Sequence, residues 1–149
     1  MIKGGNMDKQ SVILAAFSTL KDKDFSPVQI QKLLFLIDKN IGDQIGGPFF
    51  QFLPYDYGPF DSDIYSVLNQ LTEIGLLDSI ETNRGWKRYR LTPNGIVTGQ
   101  KALSTLDKKF QEYVSTLSKF VSDLTFSQLV SAIYKAYPEM KVNSVFRGL

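Results

Sequence analysis

Three aspartates lie close together in the stretch PYDYGPFDSDIYSVLNQLTEIGLL, which covers residues 54–77. Clustered carboxylates can hold a divalent cation, so Asp56, Asp61 and Asp63 are candidates for a metal site. The same residues suit a structural role, because aspartate at a helix start accepts hydrogen bonds from free backbone amides and the positive first turn favours acids. We favour this second interpretation, with Asp61 as the N-cap and Asp63 in the first turn. We predict no metal and no cofactor.

The chain contains no cysteine and no histidine. This composition excludes disulfides, thiolate nucleophiles, Ser-His-Asp triads and zinc sites built from Cys or His. Histidine is also the commonest general base, so an enzyme would have to rely on carboxylates, lysine, tyrosine or an activated serine. We therefore predict that the protein is not an enzyme and assign no catalytic residue.

The overall composition is that of an ordinary globular domain. The 149 residues are 43% hydrophobic and 21% charged, which fits one folded domain. We predict a flexible leader at residues 1–7 and a single domain at residues 8–149. No apolar run reaches the roughly 18 residues of a membrane span, and no signal-peptide pattern is visible, so we expect a cytoplasmic protein without a membrane partner. A net charge of +2 does not by itself indicate nucleic acid.

Apolar periodicity and capping residues predict the helices. Both SPVQ at residues 26–29 and TFSQ at residues 125–128 read as capping boxes. Helices are expected over residues 8–21, 26–41, 61–74 and 125–137, and Thr92 with Pro93 should open another. Residues 76–92 read as two short strands joined by a turn, and residues 49–55 as a short extended segment.

The third of these helices is expected to follow a tight turn. Gly58 and Pro59 should turn the chain into it, and Gly75 should end it. Its apolar residues, up to Ile74, should face the core. The order of helix, helix, extended segment, helix, hairpin and further helices is that of a winged helix-turn-helix. We predict a mainly α fold with a small β-hairpin, of winged helix-turn-helix type, with additional C-terminal helices.

Residues 103–124 show a heptad seam at Leu103, Leu106, Phe110, Tyr113, Leu117, Phe120 and Leu124. Their alternating spacing of three and four is typical of a coiled coil, which would make a homodimer through these residues. Val114 and Val121 widen the stripe, which favours packing on the domain's own core. We favour the second interpretation and keep the homodimer as the alternative.

Several segments resemble the Panacea-type antitoxin domain, a family that includes proteins labelled phage-associated. The matching pieces are IQKLLFLID, YDYGPFDSDIYSVLNQLTEIGLL, YRLTPNG and IYKAYPE, which together span residues 30–139. Phe35 stands where such domains often carry tyrosine. The resemblance implies a non-enzymatic domain that neutralises or recruits a partner protein, often a toxin. It carries over no catalytic residues.

The most basic segment is RGWKRYR, in which aromatic and cationic residues alternate. In a strand, Trp86, Arg88 and Arg90 would share one face, while Leu91 would point to the core. An exposed basic hairpin of this kind can contact phosphates and stack on bases. The alternative is a solvated hairpin whose tryptophan packs on a neighbouring helix. The residues predicted to bind nucleic acid in the first case are Arg84, Trp86, Lys87, Arg88 and Arg90.

The third helix and the turn before it suit a protein partner better than DNA. No Arg or Lys lies between Asp61 and Glu81, so this helix is poorly suited to a major groove. Exposed tyrosines are typical anchors of protein interfaces. We predict a module that neutralises or recruits a partner protein, with a DNA-binding regulator as the alternative. The residues predicted to bind protein are Tyr55, Tyr57, Tyr65, Asn69 and Gln70.

Overall fold

The computed structural model describes residues 7–147. This part of the chain is mainly helical with two small antiparallel hairpins, as the predicted mainly α class requires. Two short 3-10 turns, Gly42–Gln44 and Pro138–Lys141, follow the second and the last helix. In chain order the elements are α1 Lys9–Ser18, α2 Pro27–Ile41, β1 Leu53–Tyr55, β2 Gly58–Phe60, α3 Asp63–Glu73, β3 Leu77–Glu81, β4 Lys87–Leu91, α4 Pro93–Ser104, α5 Lys108–Asp123 and α6 Phe126–Ala136.

The predicted capping residues begin their helices. The Ser26 hydroxyl accepts a hydrogen bond from the Gln29 amide, and the Gln29 side chain accepts one from the Ser26 amide. Thr125 and Gln128 form the same reciprocal pair at α6. Both capping boxes are therefore confirmed. Each satisfies two backbone amides at a helix start that would otherwise lack acceptors.

The core is built on the first two helices. Buried residues follow one another without a gap from Val12 to Ser18 in α1 and from Ile30 to Ile37 in α2. α1 packs chiefly against α4, whereas α2 packs against α5, α6 and strand β2. Hence α1 and α2 are covered on most sides, and the remaining elements form layers around them.

Strands β3 and β4 pair in antiparallel register from Leu77 opposite Leu91 to Glu81 opposite Lys87. The hairpin that residues 76–92 predict is therefore confirmed. Phe25, in the link between α1 and α2, adds a third strand position, because its amide and carbonyl bond to the carbonyl and amide of Tyr89 at 2.8 and 2.9 Å. This bridge fixes the hairpin against the start of α2.

The prediction that Gly58 and Pro59 turn the chain into the third helix is wrong. Both residues lie in β2, which pairs with β1 through Tyr55 opposite Gly58. Gly58 has a φ of +103°, which residues with a side chain rarely adopt. It is the first residue of β2, directly after the turn. The extended segment near residue 53 is thus one arm of a hairpin.

Helix α3 begins and ends close to its predicted residues. The N-cap residue is Ser62, so the prediction of Asp61 as the N-cap is wrong by one residue. The Asp61 carboxylate nevertheless accepts a hydrogen bond from the Asp63 amide at 2.9 Å. Asp63 lies in the first turn, as predicted. Ile74 is 60% exposed, so its placement on the core face is wrong. It lies after the last helical residue, where Gly75 turns the chain away.

The heptad seam of residues 103–124 does not lie on one helix. α4 ends at Ser104 and α5 begins at Lys108. At this break the hydroxyls of Ser104 and Thr105 donate to the carbonyls of Lys101 and Ala102. The buried face of α5 carries Val114, Leu117, Ser118 and Val121. The expectation of packing on the domain's own core is confirmed for these residues, and a continuous coiled coil through residues 103–124 is not formed.

We predict that Gly99→Ala destabilises the fold. A Cβ atom at Gly99 would lie 2.4 Å from the carbonyl oxygen of Leu14 in α1, and this backbone atom cannot move without shifting the helix. Helix propensity alone would favour alanine by about 1 kcal/mol. Overpacking should reverse the sign and lower the free energy of unfolding by roughly 2 kcal/mol or more, measured by urea denaturation.

The control is Gln100→Ala, which changes the adjacent, exposed residue of the same helix. It should change the free energy of unfolding by less than about 0.5 kcal/mol. A Gly99→Ala protein as stable as the wild type would contradict the close approach of α4 to α1.

Candidate binding groove

An open groove of about 800 Å³ lies where α2 and α6 begin and the two hairpins meet. Residues 26–29 form the α2 side, and Leu124, Phe126 and Leu129 form the α6 side. The groove is within the range of volumes that ligand sites usually have. Its remaining lining residues are Gln31, Lys32, Tyr55, Asp56, Tyr57, Gly58, Phe60, Tyr65, Arg84, Trp86 and Arg88.

Two buried polar side chains of α2 hold hairpin β1–β2 at the groove. Gln31 is 2% exposed and forms a pair of hydrogen bonds with Asp61, to its carbonyl at 3.0 Å and from its amide at 2.9 Å. Lys32 is 3% exposed and donates from Nζ to the carbonyl of Pro59 at 3.3 Å. A two-stranded hairpin alone would be marginally stable in water. These hydrogen bonds from α2 to the backbone at β2 and directly after it therefore stabilise the hairpin.

The segment after α6 braces the other side of the same hairpin. The Asn143 side chain donates to the carbonyl of Pro54 at 3.1 Å, and the Val145 amide donates to the carbonyl of Asp56 at 2.9 Å. The Tyr134 hydroxyl lies 2.6 Å from that of Ser144 and ties this segment to α6. This role of the residues after Pro138 was not predicted from their sequence.

Aromatic rings surround the groove and are partly exposed. Tyr57 meets Phe126 edge to face, with ring centroids 5.2 Å apart. Tyr55 stacks on Phe60 at 5.1 Å, and Phe60 contacts Tyr65 at 5.8 Å. The exposed fractions of Tyr55, Tyr57 and Phe126 lie between 43 and 55%. These rings therefore present large apolar surfaces to solvent from well-supported positions.

The basic residues of hairpin β3–β4 are less free than their sequence implied. Arg88 is half-buried and forms an ion pair with Asp24, and it also donates to the Asp24 carbonyl at 3.2 Å. Arg84 lies over the ring of Trp86 at 6.0 Å, and Trp86 is 44% exposed. Arg88 thus helps to hold the hairpin, whereas Arg84 and Trp86 remain accessible at the groove's rim.

Acidic residues lie opposite the two remaining cations of this hairpin. Lys87 stands across from Glu81, and Arg90 stands across from Asp78, in the antiparallel register. Directly opposite residues of a sheet share a face, so each pair partly cancels its charge at the surface. Leu91 is buried, as predicted, and so is Tyr89, whose burial raises the pKa of its hydroxyl.

The groove unites residues from both predicted sites. From the predicted protein-binding set, Tyr55, Tyr57 and Tyr65 line it, and from the predicted nucleic-acid set Arg84, Trp86 and Arg88 do. The other predicted residues lie elsewhere on the surface. Asn69 and Gln70 are exposed on α3, where Gln70 accepts a hydrogen bond from Gln10 at 3.2 Å, and Lys87 and Arg90 are exposed on β4.

Sequence reasoning missed Lys32 and Phe126. Lys32 lies inside the buried run from Ile30 to Ile37, and a lysine within so apolar a stretch was the available signal. Burial in the protein lowers the pKa of Lys32 to about 7. Among residues 7–147, no carboxylate lies within 4 Å of its ammonium. Lys32 therefore brings a positive charge to the groove without an acidic partner in this part of the chain.

Two of the three candidate metal ligands, Asp61 and Asp63, form other interactions. The Asp61 carboxylate accepts hydrogen bonds from the amides of Gln51 and Asp63, and Asp63 forms an ion pair with Lys9. Within the described residues, no three acidic side chains come together in a way that could hold a metal ion. Aspartates 61 and 63 instead fasten the start of α3 to its neighbours.

Comparison of the chain with protein-family models and with curated proteins finds no match. The resemblance to Panacea-type antitoxin domains therefore stays a prediction. From residue 7 to residue 147, no helix has the length and apolar character needed to cross a membrane.

We predict that Lys32→Met stabilises the protein near and below neutral pH. The pKa of Lys32 is lower in the native protein than in the unfolded chain. Between about pH 7 and 10.5 the unfolded chain therefore binds more protons than the native protein, and the free energy of unfolding rises with pH. The neutral methionine avoids the cost of burying a charge. At pH 6 the free energy of unfolding should increase by roughly 2–4 kcal/mol, and this gain should shrink as pH rises through that window.

Urea denaturation over this pH range measures the effect. Lys39→Met, at an exposed position of the same helix, is the control and should change the free energy of unfolding by less than about 0.5 kcal/mol. A Lys32→Met protein that behaves like this control at every pH would contradict the burial of a charged Lys32.

Proposed function

We propose that the protein is a non-catalytic, antitoxin-like or regulatory module that binds a segment of a partner protein in the groove. The observation that carries this proposal is the arrangement of partly exposed aromatic residues around one open cavity. Tyr55, Tyr57, Trp86 and Phe126 come from three parts of the chain, hairpin β1–β2, hairpin β3–β4 and α6, yet all four line it. Neutralisation or recruitment of the partner would follow from occupation of this groove.

The support of these rings matters for affinity. Tyrosine and tryptophan contribute strongly to interfaces when they are held in place, because little side-chain freedom is then lost on binding. Tyr57 rests against Phe126, and hairpin β1–β2 is fixed from α2 by Gln31 and Lys32. The groove therefore offers a preformed apolar surface with polar groups at its edges, which suits a short peptide segment.

The chemistry of the lining favours binding over catalysis. Its acidic lining residue is Asp56, and the chain has no histidine or cysteine. General acid–base catalysis needs a positioned donor and acceptor of suitable pKa. Lys32 has a pKa of about 7, but its ammonium is buried and bonded to the Pro59 carbonyl, and this lining offers no second carboxylate to form a pair with Asp56. A binding role uses the aromatic and amide groups that are present.

The second candidate is a DNA-binding regulator of winged-helix type, and one observation favours it. The bridge between Phe25 and Tyr89 adds a strand position between α1 and α2 to hairpin β3–β4. Together with α3 preceding the hairpin, this order supports a winged-helix-like domain with C-terminal helices. The hairpin would be the wing, with Arg84 and Trp86 at its accessible tip.

Surface charge favours the protein partner over DNA. Lys87 and Arg90 lie opposite acids, and Arg88 is paired with Asp24. Nucleic-acid binding draws most of its affinity from free cations that neutralise phosphates. Arg84 at the tip of the wing is free in the described part of the chain, but the other cations of the hairpin lie opposite or pair with acids, and α3 contains no Arg or Lys. A duplex would therefore gain little, whereas an interface with a protein depends more on the aromatic rings.

We expect the double variant Tyr57→Ala plus Trp86→Ala to lose the partner. Affinity capture from a lysate of the source organism, with nuclease present, should yield one stoichiometric protein with the wild type. Each ring is a candidate hot spot, and truncation of such residues typically costs 2 kcal/mol or more, so the double variant should bind at least about thirtyfold more weakly. The affinity is then measured by calorimetry with the purified partner.

The matched control is Phe120→Ala, because Phe120 is 43% exposed but lies on α5 outside the groove. It should retain the partner with unchanged affinity. Equal capture by the wild type and the double variant would contradict the groove as the binding site. Recovery of nucleic acid in place of a protein, lost on Arg84→Ala and weakened by salt, would favour the second candidate.

A further inference from the structure

The floor of the groove contains a buried cation. Among residues 7–147, the buried polar or charged side chains are Ser18, Gln31, Lys32 and Ser118, of which Lys32 carries charge. Its ammonium has three hydrogens to donate, and the hydrogen bond described for it goes to the Pro59 carbonyl at 3.3 Å. Lys32 and Gly58 both line the groove, and a Cβ atom at Gly58 would lie 3.8 Å from Nζ of Lys32. The ammonium therefore lies next to the groove, within reach of a ligand bound over Gly58.

Among the described cations that line the groove, Arg88 is paired with an acid, Arg84 is exposed to solvent, and Lys32 is buried without an acid within 4 Å. Lys9 pairs with Asp63, and Arg88 pairs with Asp24. Removing a charge from water without a partner is costly, and such charges in proteins are usually paired. Within the described part of the chain, the charged form of Lys32 bears this desolvation cost without an acidic partner. An anion bound in the groove would offset it by pairing with the ammonium.

The walls of the groove add to the positive potential. Helices α2 and α6 both begin at the groove, with residues 26–29 and Phe126 in its lining. The N-terminal ends of helices carry partial positive charge. Arg84 stands at the rim, and Asp56 is the acid among the lining residues. The potential at the floor therefore favours an anion, while the aromatic rim favours an apolar body attached to it.

We propose that Lys32 forms a carboxylate-binding subsite at the floor of the groove, and that the partner's segment inserts an aspartate or glutamate there, flanked by aromatic or aliphatic side chains. This inference rests on the proposed function and names the chemistry of the segment. A carboxylate fits better than a phosphate because Lys32 supplies one uncompensated charge, and the nearby Arg88 guanidinium is already paired with Asp24. The rings of Tyr57 and Phe126 would cover the flanking side chains.

Binding at this subsite should depend on pH. A bound carboxylate favours the charged ammonium, so it raises the pKa of Lys32 above its value of about 7 in the free protein. Affinity should be constant below that value and fall by up to about tenfold per pH unit above it. The other titratable or charged groups that face the groove are Tyr55, Asp56, Tyr57, Tyr65, Arg84 and Arg88, with Tyr134 beside Gly58.

The first test uses 3-phenylpropionate, a carboxylate on an aromatic body, and its neutral amide as probes. Titration of the full chain at pH 6.5, followed by NMR chemical shifts, should show the acid binding at least about tenfold more tightly than the amide. Lys32→Met should abolish this difference and flatten the pH dependence. Lys39→Met should preserve both. Lys32→Met also removes the hydrogen bond to the Pro59 carbonyl, so its folding is checked by urea denaturation at the same pH. Unchanged binding of the neutral amide to Lys32→Met shows that the hairpin still forms the groove, and the lost preference for the acid then reports the missing ammonium.

The second test establishes that the carboxylate comes from a peptide. Random octapeptides displayed on phage are selected on the wild type, and the enriched sequences should carry an acid next to aromatic or aliphatic residues. Changing that acid to its amide should weaken binding at least about tenfold on the wild type and have no effect on Lys32→Met.

Each outcome separates this inference from the proposed function. Enriched peptides without an acid, or with equal affinity for Lys32→Met, would overturn the subsite and leave a peptide-binding groove. Binding of the acidic probe without any enriched peptide would overturn the peptide as the source and count against the proposed function. Equal binding of acid and amide to the wild type would overturn the subsite outright.

Discussion

Helix α2 supplies the hydrogen bonds on which the segment between it and α3 depends. The carboxylate of Asp38 accepts from the amides of Phe49 and Phe50 at 2.9–3.0 Å, and Gln31 and Lys32 bond to the backbone of Asp61 and Pro59. Burial raises the pKa of Asp38, against the opposing effect of these amides. A long connection without much structure of its own must satisfy its backbone groups somewhere. Here the side chains of α2 form hydrogen bonds with these backbone groups, and the same bonds determine where hairpin β1–β2 lies.

The same arrangement creates the groove and its electrostatic character. Because Lys32 bonds to β2 from within α2, its ammonium lies buried between the two, and Gly58 leaves space above it that a side chain would fill. Asp24 neutralises Arg88 at the neighbouring wall, and Arg84 is exposed at the rim. Among the described residues, the buried charge without an acid partner is therefore that of Lys32 at the floor. Aromatic residues from the hairpins and α6 close the sides. A structural requirement of the fold thus leaves a surface suited to an anionic, partly apolar ligand.

Local interactions made part of this structure predictable. Ser26 with Gln29, and Thr125 with Gln128, act within one helical turn, so sequence was sufficient for both helix starts. Hairpin β1–β2 was missed although its strands pair locally, because Gly58 and Pro59 equally suit a turn. The hydrogen bond from Lys32 that supports β2 comes from α2, 27 residues earlier, where local spacing does not reveal it. The break between α4 and α5 was hidden by an uninterrupted heptad spacing. The tyrosines and the basic segment were predicted to form separate sites. They line the same groove because of tertiary packing, which the spacing of residues along the sequence does not reveal.

The burial of a charged lysine at the floor of the groove can be measured directly. The protein is prepared with ¹⁵N-labelled lysine, and the Nζ resonance of Lys32, assigned by its absence from Lys32→Met, is followed through a pH titration. We expect a midpoint near 7, because burial disfavours the charged form. A midpoint near the ordinary 10.5 would mean that the ammonium is solvated or paired with an acid. That result would contradict an unmatched cation in the groove.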